Sequence, residues 1–94
     1  MQHANAHILN QTGLHARPAA VFVTTIKKFQ SRVRVRNLSV AGDWVDAKNI
    51  LGVLGLGAEC GHELELEVDG SDEREALKAI TQVLEAGLGD KIIP

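Results

Sequence analysis

The sequence predicts an α+β domain of two layers, with helices on one face of an antiparallel sheet and water on the other. Two segments, residues 32–36 (RVRVR) and 62–68 (HELELEV), alternate apolar with charged residues, which is typical of half-buried strands. Two others, from residue 16 to about 29 and from about 72 to 86, carry apolar residues at helical spacing. With the shorter elements added, the predicted order is β-α-β-β-α-β-α.

The first strand and the first helix lie on either side of a short loop that contains a glycine. Residues 3–9, HANAHIL, alternate weakly and predict a strand whose inward residues are Ala4, Ala6 and Ile8. The helix that follows has modest intrinsic propensity because it contains several β-branched residues, so packing must stabilise it. Its apolar stripe consists of Ala19, Phe22, Val23, Ile26 and Phe29.

A hairpin and a short helix are predicted in the middle of the chain. Residues 37–43, NLSVAGD, are rich in turn formers and join the arginine-rich strand to a returning strand. We expect the returning strand to begin near Val40 and to include Trp44. Asp46 is then expected to cap a short helix over residues 47–54, AKNILGVL, and a glycine-rich turn follows it.

The last strand and the last helix complete the predicted fold. The strand points its leucines and valine inward and its glutamates outward. Ser71 or Asp72 is expected to cap the helix, and Gly87 to end it. The apolar stripe of this helix consists of Leu77, Ile80, Val83 and Leu84. If the arginine and glutamate strands are neighbours, they form a ladder of opposite charge, which we interpret as a solvated sheet face.

The composition limits the class of protein. The 94 residues, 45% hydrophobic and 23% charged, fit one domain, which we place at residues 1–86 with residues 87–94 as a tail or linker. Cys60 is the single cysteine, which favours a reducing, cytoplasmic setting. No apolar run reaches the roughly 18 residues that span a bilayer, and the first residues lack the layout of a signal peptide. The net charge of −2 gives no reason to expect nucleic acid as a partner.

The segment QTGLHARPAA, residues 11–20, contains the candidate site. If the first helix begins at Ala16, His15 is its capping residue, and the amides of Ala16 and Arg17 have no partner inside the helix. Such amides at the positive end of a helix, next to a guanidinium group, form an anion site. Pro18 fits the first turn because its missing N–H removes no helical hydrogen bond.

A histidine in this setting suits nucleophilic chemistry on an anionic group. The neutral imidazole is a nucleophile, and the two amides with Arg17 would stabilise a phosphoryl group carried on it. Each of these interactions is worth about 0.3 to 3 kcal/mol, which allows the group to be accepted and released again. From the residues alone, His15 can also be a satisfied capping histidine, a buried one or a general base, and these alternatives stay open.

Two motifs resemble one known family. GLHARPAA, residues 13–20, closely resembles the active-site motif of the histidine-containing phosphocarrier (HPr) family of the bacterial sugar phosphotransferase system. DAKNILGVLGLGAECG, residues 46–61, resembles the second helix of that family and the glycine turn after it. The resemblance extends from about Ala4 to Ala86. It implies an open-faced β-sandwich with strand order 1-4-2-3.

The resemblance also implies a function and a set of site residues. His15 is expected to accept a phosphoryl group on Nδ1 from Enzyme I and to pass it to an Enzyme II A-type component in sugar uptake. Arg17 and the amides of Ala16 and Arg17 are expected to bind the phosphate. The chain would then be a covalent phosphoryl relay rather than an autonomous enzyme.

Two departures from the family pattern keep alternatives open. Asn49 occupies the position of the regulatory serine that many members carry, so phosphorylation at that position is expected to be absent. The hairpin is longer than in the shortest members, and with the end EAGLGDKIIP it is similar to modules of multiphosphoryl transfer proteins or of dihydroxyacetone-kinase phosphotransferase subunits. The chain can therefore be free-standing or a domain, and it can serve dihydroxyacetone kinase instead. A regulatory binding module, acting through the second helix alone, is the other alternative.

An exposed apolar patch is expected beside His15, because the second helix is apolar nearly all round and part of it must face outward. We expect it to be the docking surface for protein partners, formed by Ala20, Ile50, Leu51 and Leu54. No metal or cofactor is expected, because the other histidines and Cys60 lack ligand spacing and the glycine-rich run lacks the Gly-Lys-Ser/Thr of a phosphate loop. We expect a monomer.

Overall fold

The computed structural model describes residues 1–90. Four antiparallel strands form one sheet in the order β1-β4-β2-β3, and three helices pack on one of its faces. The predicted α+β class, element order and strand order are therefore confirmed. The elements are β1 (Gln2–His7), α1 (Ala16–Lys27), β2 (Arg32–Asn37), β3 (Val45–Asp46), α2 (Ile50–Leu54), β4 (Glu63–Asp69) and α3 (Glu73–Glu85).

Strand β4 lies at the centre of the sheet and places the apolar side chains of the strands beneath the helices. Its inward residues pair across β2, with Val68 opposite Val33 and Leu66 opposite Val35, and all four are essentially inaccessible to solvent. The stripes of α1 and α3 meet this layer, because the period of 3.6 residues turns one side of each helix toward the sheet. The core therefore lies between the sheet and the helices.

The open face of the sheet carries the predicted ladder of opposite charge. Arg34 donates to Glu67 and Arg36 donates to Glu65 across β2 and β4. Trp44 lies over both guanidinium groups, with its ring centroid 4.9 Å from Cζ of Arg34 and 4.8 Å from Cζ of Arg36. Through these cation–π contacts, Trp44 covers part of the charge ladder, which we predicted to be fully solvated.

The hairpin between β2 and β3 differs from the prediction. The returning strand contains only Val45 and Asp46, so it does not begin near Val40 and Trp44 precedes it. Asn37 is the last residue of β2, one residue beyond the predicted end, and its Oδ1 accepts a hydrogen bond from the Ser39 amide, which bends the chain there.

Two helices begin or end differently from the prediction. α2 begins at Ile50, not at residue 47, because Asn49 and not Asp46 caps it: Asn49 Oδ1 accepts from the amides of Leu51 and Gly52. Asp46 instead belongs to β3, where it lies opposite Arg34 in the β2–β3 register. α1 ends at Lys27, two residues before the predicted end.

The start of α3 differs from the prediction, whereas its end agrees with it. Asp72 is the capping residue by position, yet its carboxylate makes no cap bond and accepts instead from Gln30 and Ser31 of the α1–β2 loop. Gly87 ends the helix as predicted, with φ at +84°.

The chain directly after residue 86 packs against α3. Leu88 is fully buried and its amide donates to the carbonyl of Val83. The division into a domain and a tail at residue 86 stays a prediction, and residues 91–94 of that segment lie outside the described residues. Within residues 1–90, no helix is long and apolar enough to cross a membrane.

Candidate functional site

The loop before α1 is fastened to the turn between α2 and β4. Gly13 has φ at +68°, and a Cβ at this position would lie 2.4 Å from the carbonyl oxygen of Ala58. The Leu14 amide donates to that same oxygen at 2.9 Å, and the Leu14 side chain is buried. Glycine is therefore required both by the backbone angle and by the close approach of the two segments.

His15 is exposed at the end of this loop. Its backbone is extended (φ −115°, ψ 154°), as expected of a capping residue, but its side chain makes no cap bond. Among the described residues, the imidazole has no hydrogen-bond partner. His15 is thus the capping residue by position, but its side chain is neither buried nor used as a cap, and its ring is open to a reactant.

The first turn of α1 leaves two amides beside His15. Ala16 has φ at +38°, a left-handed conformation that costs a residue with a Cβ on the order of 1 to 3 kcal/mol. Within residues 1–90, neither the Ala16 nor the Arg17 amide finds an acceptor, and Pro18 has no N–H. The first backbone bond of the helix runs from the Ala19 amide to the His15 carbonyl at 3.3 Å.

Arg17 adds a positive side chain to this helix end. Its guanidinium is exposed and pairs with no acidic group among residues 1–90. His15, Ala16 and Arg17 line one open cavity of about 350 Å3. The structure therefore brings the imidazole, the helix start and the guanidinium together, an arrangement able to hold an anion next to a nucleophile.

A family model described as the phosphotransferase system HPr component phosphorylation site matches residues 3–86. The chain belongs to the HPr family. It is 42% identical over 78 residues to the phosphocarrier protein HPr of Treponema pallidum, which covers 83% of this chain and 85% of that protein. The structure of HPr-C-His from Thermoanaerobacter tengcongensis superposes with a TM-score of 0.89 and 40% identity, covering 98% of this chain and all of that one.

Longer proteins are similar to the chain as well. The multiphosphoryl transfer protein of Vibrio cholerae is 42% identical over 87 residues, which is 93% of this chain and 22% of that protein. The chain therefore spans about a fifth of the length of this relative.

The residues expected to form a docking surface divide between two helices. Ile50, Leu51 and Leu54 are exposed on α2, with Leu51 at 77% exposure, and Ala20 is exposed on α1. The two helices pack against each other. An HPr domain with this surface presents an apolar patch that no described residue covers, and its use in docking stays a prediction.

Three residues near the HPr site were missed by sequence reasoning. Asp90 and Thr12 line the same cavity as His15, and Asp90 accepts hydrogen bonds from Thr12 and from Asn10. One signal could have found them: an apolar residue, Leu88, directly after a helix-ending glycine indicates a chain that folds back onto the helix rather than a free tail.

The remaining histidines and Cys60 were considered as metal ligands. Within the described part of the chain, no three His, Cys, Asp or Glu side chains are grouped to hold a metal ion. His62 is held in a turn, where its Nδ1 accepts from the Glu59 amide at 3.1 Å.

Proposed function

We propose that this HPr domain is a phosphocarrier that accepts a phosphoryl group on His15 from Enzyme I and passes it to an Enzyme II A-type component in sugar uptake. The observation that carries the proposal is the exposed imidazole of His15 next to two amides without acceptors and the guanidinium of Arg17. An anionic group bound to the imidazole meets positive groups from both the backbone and a side chain.

The transfer is a nucleophilic displacement at phosphorus. The lone pair of Nδ1 in the neutral ring forms the new N–P bond, while the bond between phosphorus and the donor breaks and the donor keeps its electron pair. The amides of Ala16 and Arg17 and the guanidinium then hydrogen-bond the phosphoryl oxygens. Onward transfer reverses the roles, since the acceptor forms the new bond and His15 leaves.

The strength of the site suits a relay. A hydrogen bond to a charged group contributes about 1.5 to 3 kcal/mol, and the end of a helix about 0.3 to 1 kcal/mol. Stabilisation of this size holds the phosphoryl group without trapping it, so the group can be passed on at little cost.

Partner proteins are proposed to dock on the apolar patch beside the site. Exposed Ile50, Leu51 and Leu54 on α2, with Ala20 on α1, offer apolar contact area for both Enzyme I and the Enzyme II component. The carrier is proposed to act as a cytoplasmic monomer, and its chemistry needs neither a cofactor nor nucleic acid nor insertion into a membrane.

The alternatives differ in partner or in the use of His15. A regulatory module acting through α2 alone has no use for an exposed histidine beside free amides. A module that serves dihydroxyacetone kinase uses the same His15 chemistry with a different acceptor, so competition between purified acceptors for the phosphoryl group separates it from sugar uptake.

Phosphorylation of the intact chain tests the proposal. After incubation with phosphoenolpyruvate and Enzyme I, we expect the mass to increase by one phosphoryl group that is lost in acid, because a phosphohistidine N–P bond is acid-labile. His15→Ala should show no increase, and the matched variant His7→Ala, at an exposed strand position, should behave like the wild type. Acid-stable labelling, or labelling that persists in His15→Ala, would contradict the proposal.

A further inference from the structure

The carboxylate of Asp90, beyond α3, is bound to the loop that leads to His15. Asp90 Oδ2 accepts hydrogen bonds from the Thr12 amide at 3.0 Å, from Thr12 Oγ1 at 2.7 Å and from Asn10 Nδ2 at 3.3 Å. Hydrogen bonds to a charged acceptor are roughly twice as strong as neutral ones. One oxygen atom therefore holds two residues of the loop.

Asp90 is itself placed by the end of α3. The Gly87 amide donates to the Leu84 carbonyl and the Leu88 amide to the Val83 carbonyl. The Leu88 side chain is buried in the core. The Asp90 amide then donates to the Gly87 carbonyl at 2.8 Å. The carboxylate thus projects from a turn that is packed against the domain.

The contact continues from Asp90 toward His15 through Asn10. Asn10 is fully buried, and its Nδ2 also donates to the Gly13 carbonyl at 2.8 Å. Its Oδ1 has no partner among residues 1–90, so Asp90 and Gly13 are the groups that hold the side chain. Because Gly13 lies two residues before His15, a shift of Asn10 moves the backbone that directs the imidazole.

We propose that Asp90 is a positioning residue for phosphoryl transfer at His15. The inference rests on the proposed function. Through Asn10 and Thr12, Asp90 fixes residues 10–13 so that the imidazole and the amides at the start of α1 keep the arrangement that a phosphoryl group requires. Asp90 acts by holding the loop in place, through its contacts with Asn10 and Thr12.

Asp72 provides a matched control at the other end of α3. Its carboxylate accepts from the Gln30 amide at 2.8 Å, from the Ser31 amide at 2.9 Å and from the Ser31 hydroxyl. The two aspartates make the same kind of contact with the two loops that flank α1, but only Asp90 binds the loop that leads to His15.

The test compares Asp90→Ala, Asp90→Asn and Asp72→Ala with the wild-type chain at a temperature where all four are folded. For each protein, kcat and KM are measured for phosphorylation by phosphoenolpyruvate and Enzyme I, together with hydrogen exchange at the Thr12 amide. We expect Asp90→Ala to lose protection at Thr12 and to lower kcat about tenfold with little change in KM, because the docking patch is untouched. Asp90→Asn keeps an acceptor oxygen and should recover kcat to within about threefold of the wild type. Asp72→Ala should match the wild type.

The remaining outcomes overturn the inference in separate ways. An unchanged kcat in Asp90→Ala means that holding the loop is irrelevant to transfer, and an equal loss in Asp72→Ala means that the effect is general instability. Equal losses of kcat in Asp90→Ala and Asp90→Asn mean that the negative charge of Asp90, and not its hold on the loop, affects phosphoryl transfer. A wild-type chain that Enzyme I leaves unmodified overturns the proposed function, and the inference with it.

Discussion

Gly13 is fixed by two independent requirements, the sign of its φ angle and the space beside it. At +68° the backbone is left-handed, and Ala58 and Glu59 lie where a side chain would begin. Gly57 has a similar angle, +61°, but nothing lies within 4 Å of the position of its missing Cβ. A comparison of Gly13 with Gly57 therefore separates the free-energy cost of a positive φ angle from the cost of steric overlap with Ala58 and Glu59.

Substitution of Gly13 by alanine is expected to destabilise the fold. We expect Gly13→Ala to lower the free energy of unfolding by about 2 to 4 kcal/mol, because the strained angle and the overlap with Ala58 add. Gly57→Ala should cost about 1 to 2 kcal/mol for the angle alone. Urea unfolding of the two variants measures the difference, and equal losses would show that the contact with Ala58 is relieved at no cost.

Single residues of the site differ in how far the sequence reveals them. His15, Ala16 and Arg17 are neighbours in the chain, so their meeting at a helix start follows from local structure alone. Asp90 meets Thr12 across 78 positions, and only the tertiary fold brings them together.

At the scale of one element, the start of α2 shows how pairing in the sheet decides between two equally suitable residues. Asp46 and Asn49 are both strong capping residues, and the sequence offers no means of choosing. Asp46 is opposite Arg34 in the sheet, and its Oδ1 accepts from the Lys48 amide, so the chain turns before the helix can begin. Asn49, which carries no hydroxyl to phosphorylate, is left to cap α2.

Removal of this cap is expected to destabilise the docking helix. We expect Asn49→Ala to lower the free energy of unfolding by about 0.5 to 2 kcal/mol, because the amides of Leu51 and Gly52 lose their acceptor. Asn49→Asp, which keeps the acceptor, is the control and should stay close to the wild type. Thermal unfolding measures both variants. If Asn49→Ala is as stable as Asn49→Asp, the side chain does not cap the helix in solution.

At the scale of the whole molecule, three carboxylates stabilise the fold in their charged form. The pKa of Glu67 lies below its ordinary value of 4.5, chiefly because Arg34 donates a hydrogen bond to it. The Ser31 hydroxyl, followed by the Gln30 amide, lowers the pKa of Asp72 from 3.8, and the amino group of Met1 lowers the pKa of Glu73 from 4.5. These groups lie on the sheet face and at the start of α3.

Acid is expected to weaken the fold as a consequence. A folded-state pKa below the unfolded-state value means that the unfolded chain binds more protons. The stability contribution is therefore complete above the ordinary pKa values and is lost as the pH falls from them through the lowered folded-state values. We expect the urea midpoint to decrease from about pH 5 to pH 2. Asp72→Asn should reduce this decrease, since it removes one such group. A midpoint that is constant or rises in acid would contradict the expectation.

The architecture as a whole was predictable because it depends on periodicity. The alternation of residues 32–36 and 62–68 determines which side of each strand faces the helices, and the resemblance to HPr supplied the strand order. The return of residues 87–90 onto the domain was not predictable from alternation or helical spacing, because it depends on a buried leucine and a carboxylate that find distant partners. The stacking of Trp44 on Arg34 and Arg36 was not predictable either, since it requires the finished sheet.

The position of Trp44 gives the molecule a built-in optical reporter. It is the only tryptophan, the chain has no tyrosine, and its ring lies against two guanidinium groups on the sheet face opposite the helices. Its fluorescence therefore reports on the opening of the β2–β3 hairpin, while His15 lines a different cavity at the start of α1. Emission and phosphoryl transfer can be recorded on one unlabelled sample, and a variant that loses transfer with its emission unchanged has lost the site but kept the sheet.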